Sequence, residues 1–131
     1  MFDITSVSSV DRCATASPME VQDMDGQELG FQLMVLGAQA DAVQKYTNKI
    51  VNDEIMQSEI ARKKGKPQKQ RTMEDTISGN IEAALIRVTD WVGVKQKFDK
   101  ETLREAIKKN PHWVNQIIEY SNDLRNFTKA S

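Results

Sequence analysis

The sequence predicts a mainly helical α+β domain, with about four helices and a small N-terminal β-hairpin. Three observations predict it. A period-2 apolar pattern surrounds Asp25-Gly26, a 3.6-residue apolar period runs from about Asp41 onward, and the helix-type segments are punctuated by capping residues and by Gly or Pro. One hundred and thirty-one residues suit one domain with its own core.

Taken in order, residues 1–18 are rich in Ser and Thr and end at Pro18. They carry no firm element signal and read as a flexible arm, or as an edge strand that pairs with a partner. Residues 19–37 form the hairpin. Val21 on one side and Leu29, Phe31, Leu33 and Val35 on the other alternate around Asp25-Gly26. Asp-Gly suits a type I′ turn, in which both central residues take positive φ. Such a hairpin is marginal alone and needs helices or further strands against it.

A helix is expected over 41–64, capped by Asp41, with Val43, Tyr46, Ile50, Ile55 and Ile60 on or near one inward stripe. It stops at Gly65 and Pro67, inside a basic linker over 65–71. The next helix runs from Thr72, its N-cap, to Val92. Glu74 and Asp75 complement the dipole of its first turn, and Ile77, Ile81, Ala84, Leu85, Val88 and Val92 form the inner stripe. Gly93 fits the C′ position. Asp99 caps a short third helix, with Phe98 and Leu103 as a hydrophobic staple. Asn110-Pro111 starts a fourth as cap and first helical residue, burying Trp113 or Val114, Ile117, Ser121, Leu124 and Phe127. The three C-terminal helices thus occupy 72–128, knitted by Trp91, Phe98, Trp113 and Phe127. The whole of 19–131 reads as a single domain.

Composition narrows the function. A single cysteine, Cys13, excludes an intramolecular disulfide framework and a cysteine-cluster zinc site. A single histidine, His112, has only amides and a lysine as polar sequence neighbours, so no general base with an orienting acid is legible. Acidic pairs Asp53-Glu54 and Glu74-Asp75 point about 100° apart on a helix and form no metal clamp. Gly65-Lys66 lacks the rest of a phosphate loop. The expectation is a non-enzyme without cofactor or metal. No apolar run approaches the roughly 18–20 residues of a membrane span, and Met1–Val10 lacks the features of a signal peptide, so the expected setting is intracellular and not membrane-bound.

The net charge of −1 conceals segregation. Residues 1–61 carry ten acids and three bases, whereas 62–71 carry six bases and no acid: Arg62, Lys63, Lys64, Lys66, Lys69 and Arg71. Copies of such a chain can attract one another, and self-association is expected. The basic run contains no aromatic residue and the pI is about 5.9, which speaks against a dedicated nucleic-acid binder. A solvated loop and a contact for an acidic protein partner both remain open readings.

The run Ala84-Leu85-Ile86-Arg87-Val88-Thr89-Asp90-Trp91-Val92-Gly93-Val94, followed by Glu101-Thr102-Leu103, Asn110-Pro111 and Asp123-Leu124-Arg125-Asn126-Phe127, resembles the small tail assembly chaperones of long, non-contractile-tailed, lambda-like phages. The likeness extends over roughly Pro18 to the C-terminus and includes Asp25-Gly26, Gly30 and Val35-Leu36-Gly37, although Val94–Phe98 departs from the Gly- and Pro-containing loop of such proteins. The resemblance implies a host-cytoplasmic protein that coats the tape measure protein before the tail tube forms. It further implies two product lengths, the longer made by frameshift and recruiting tail tube protein, with the present chain ending as the short form would. On that reading the surfaces around Val51 and Met56 supply part of an apolar groove, and the basic run holds acids of the partner. The alternatives are a structural tail component and a small binding module for an acidic partner.

Overall fold

A computed structural model describes residues 1–65 and 72–127. Residues 1–18 carry more structure than an arm. Asp3 caps a 3-10 turn, Ile4–Ser6, by accepting from the Thr5 amide and hydroxyl, and these bonds hold its carboxyl below the usual range. Ser8 caps the short helix α1, Ser9–Cys13. Cys13 is 1% exposed, and its carbonyl accepts from the Gly37 amide at 2.9 Å. A Cβ on Gly37 would come within 2.3 Å of Cys13 Sγ, so only glycine permits this approach.

Strands β1, Ser17–Gln22, and β2, Glu28–Val35, form the expected hairpin, with Met19, Val21, Leu33 and Val35 facing the core. Its turn differs from expectation. The Gly26 amide donates to the Asp23 carbonyl, the Asp23 amide donates to the Gln27 carbonyl, and among the described residues only glycines take positive φ. The connection is therefore a type I turn closed by Gly26 in the left-handed region, with Asp25 at negative φ. The Asp23 carboxylate fixes it by accepting from the Asp25 and Gln27 amides at 2.8 and 3.0 Å.

The largest departure is a third strand. Helix α3, Met73–Arg87, stops at Arg87, and Val88–Val92 continues as β3, antiparallel to β2 with Leu33 opposite Trp91. Val88, Thr89, Trp91 and Val92 are β-branched or aromatic, and fit a half-buried sheet better than a helix. Gly93 has positive φ as anticipated, but it turns the chain out of a strand: a Cβ there would meet the Gly30 carbonyl at 3.1 Å.

Two of the four helical caps expected from the sequence form, and two do not. Thr72 and Asp75 form a reciprocal capping box on α3. Asp99 caps α4, Lys100–Lys109. Helix α5 spans His112–Asn122, and here Asn110 acts differently from expectation: its side-chain amide donates to the Ala106 carbonyl and closes α4 rather than capping α5. Helix α2, Asp41–Lys63, starts from Ala40 without a side-chain cap, so Asp41 lies in the first turn.

The main core joins Met19, Val21, Leu33 and Val35 of the sheet to Ile81, Leu85, Leu103, Ile107, Trp113 and Ile117 of the helices. Ile77, placed inside by the sequence stripe, is 51% exposed, and Leu124, in a closing 3-10 turn, is exposed as well. The four aromatics expected as one cluster divide. Trp91 stacks edge-on with Phe98 at 5.1 Å, Trp113 takes Phe31 at 5.6 Å, and Phe127 meets Tyr120 at 5.9 Å in a second core with Cys13, Leu36 and Val43.

A buried polar node links the two cores. Ser121 donates to the Leu36 carbonyl at 2.8 Å and accepts from Arg87 Nε at 3.1 Å, while the Leu36 amide donates to the Arg87 carbonyl at 2.7 Å. Burial lowers the Arg87 pKa from its usual value, with Tyr46 opposing the shift. Gln116 covers one sheet edge by pairing both amide atoms with the Gln22 backbone, and Arg104 ties α4 to α3 through Glu82.

Candidate partner-binding surface

Helix α2 contains no Gly or Pro and carries Asp41 in its first turn with Arg62 and Lys63 in its last, which complements the helix dipole. Val43 is its one buried residue, and it packs in the second core. Beyond Tyr46 every residue from Thr47 to Ile60 is exposed. That run includes Ile50, Val51, Ile55, Met56 and Ile60.

The inward stripe expected along α2 breaks after its second turn. At about 100° per residue, Val43, Tyr46 and Ile50 share the body side, whereas Ile55 and Ile60 point elsewhere. Val51, 47% exposed, and Met56, 60% exposed, lie about 140° apart around the axis. Each has a neighbour one turn on, Ile55 for Val51 and Ile60 for Met56. The two residues therefore stand on opposite flanks and cannot line one groove of a single helix. Arg62, Lys63 and Lys64 are exposed at the outer end of α2. Lys66, Lys69 and Arg71 lie outside the described residues.

The first turns of α3 are similarly open, with Met73 and Ile77 exposed. Ile77, Ile81, Ile107 and Val114 border a groove of about 210 Å³ between α3 and the α4–α5 junction. The sequence missed this groove because it put Ile77 in the core.

A second concavity, of about 290 Å³, opens beside the sheet, walled by Phe31, Trp91, Leu103 and Trp113. Trp91 Nε1 donates to the Gln96 carbonyl at 2.8 Å.

His112 is half-buried beside Trp113, with Nε2 enclosed and without a hydrogen-bond partner among the described residues. Among the described residues no group of three His, Cys, Asp or Glu side chains is arranged to hold a metal ion, and no helix is long and apolar enough to cross a membrane. Comparison of the chain with family models, with curated proteins and with solved structures finds no match.

Proposed function

We propose that this chain is a phage tail assembly chaperone that acts in the host cytoplasm, keeps the tape measure protein soluble and is absent from the finished virion. The observation that carries the reading is the exposed stretch 47–60 of α2, with five large apolar side chains. A helix that leaves this much apolar surface in water is suited to packing against another helix. Because the apolar residues stand on two flanks, α2 offers one ridge between two segments of a long partner. Ile77 and the groove beside α3 extend the contact. Met56 and Met73 adapt to irregular partner surfaces, since the thioether chain is flexible and polarizable. Arg62, Lys63 and Lys64 meet acids on the partner.

A tape measure protein is long and helical, and its apolar stripe would aggregate while it waits for its tube. Many copies bound weakly along it add up by avidity, yet each remains displaceable by tube subunits. Delivery of those subunits belongs to a longer, frameshifted form.

The test is co-expression with the tape measure protein. Wild type is expected to keep it soluble and to co-purify with it. Val51→Asp/Met56→Asp and an Arg62→Glu/Lys63→Glu/Lys64→Glu variant should fold and lose co-purification, because the replaced side chains are exposed. Equal capture by all three would remove both contact regions. Failure of wild type to bind, or its presence in purified tails, would favour a structural tail component instead.

A further inference from the structure

The hairpin tip and the aromatic cleft lie at the same end of the sheet, since Leu29, three residues past Gly26, lines the cleft. The tip raises Met24 into solvent at 86% exposure, between Asp23 and Asp25. The Asp23 carboxylate is used inside the turn and makes it rigid. The carboxylates of Asp25 and Glu28 form no ion pair among the described residues.

The cleft has the opposite character. Three of its lining side chains are aromatic, Phe31, Trp91 and Trp113, and the exposed Lys95 and Lys97 flank Gln96, which lines it, while the exposed Lys100 lies two residues before Thr102, which lines it too. None of these lysines is in an ion pair among the described residues. The acids of the same stretch are committed: Asp90 accepts from the Trp91 amide, Asp99 caps α4, and Glu101 pairs with Arg104.

We propose that two copies of the chain associate about a two-fold axis, each seating Met24 in the aromatic cleft of the other. A thioether against Phe31, Trp91 and Trp113 is a favourable sulfur–aromatic contact, and the free carboxylates of the tip meet the free lysines of the rim. Knob and socket on one end of one molecule are self-complementary, as a two-fold interface requires. The charge segregation of the sequence implied self-association without a surface. This contact supplies one that leaves α2 free, and it stands independently of the chaperone reading.

Trp91 and Trp113 are the two tryptophans of the chain and both line the cleft, so intrinsic emission reads its occupancy. Sedimentation and emission of the full chain are followed over a concentration series at low and physiological salt. A dimer is expected whose fraction tracks an emission change and falls with salt. Met24→Glu should weaken it by about tenfold or more while far-UV circular dichroism stays unchanged. Lys95→Glu/Lys97→Glu should weaken it too, and adding Asp25→Lys should restore it. A monomer at every concentration, a dimer with constant emission, or a Met24→Glu dimer as tight as wild type would overturn the proposal. Loss of the dimer in Val51→Asp/Ile55→Asp with Met24→Glu unaffected would also overturn it, and would place α2 in the interface.

Discussion

Leu85 and Ile77 lie eight residues apart on α3, on one stripe of the sequence, yet their surroundings differ. Leu85 is enclosed by the sheet and the C-terminal helices, whereas Ile77 borders an open groove. Leu85→Ala should cost about 2–5 kcal/mol in denaturant melts, and Ile77→Ala less than about 1 kcal/mol. Equal losses would mean that the outer turns of α3 are packed. The period of the stripe made Ile81, Leu85, Ile117 and Trp113 readable as core. It could not make Ile77 exposed, because burial also depends on how far the neighbouring element extends. Arg87 illustrates the reverse limit. A guanidinium reads as a surface group, and its burial here depends on Ser121, 34 residues along the chain, with the Ala83 carbonyl one turn back as a second partner.

Capping chemistry is local, and for that reason legible. Thr72 and Asp75, and Asp99 with Phe98 and Leu103, mark helix starts through groups no more than five residues apart. Thr72→Ala should cost about 1 kcal/mol and speed amide exchange in the first turn of α3. An unchanged melt and unchanged exchange would show that the capping box is dispensable. Strand β3 was not legible by the same route. Five residues are too few to separate a period of 2 from one of 3.6, and Val88 and Val92 also continue the helical stripe. What decides the outcome is pairing with β2, more than fifty residues earlier in the chain. The composition of 88–92 was the available signal. The hairpin was placed correctly, but its turn type was not, because the Asp23 carboxylate favours a three-residue loop over the two-residue one that Asp25-Gly26 suggests.

At the scale of the molecule, a body of sheet and helices carries a helix that extends past its own core. The sequence placed Ile50, Ile55 and Ile60 inside because they are apolar, while the structure leaves them in water. Val51 and Met56 were legible as residues outside the core, but not as members of opposite flanks. Backbone hydrogen bonds in such an exposed helix open easily, so amides in the outer part of α2 should exchange far faster than those of β2. The most direct test of the account is therefore hydrogen exchange across α2, measured on the chain alone and in complex with co-expressed tape measure protein. The account predicts fast exchange over 47–63 in the free chain and strong protection there, and at the start of α3, in the complex. A complex that forms while 47–63 exchanges as fast as in the free chain would contradict it.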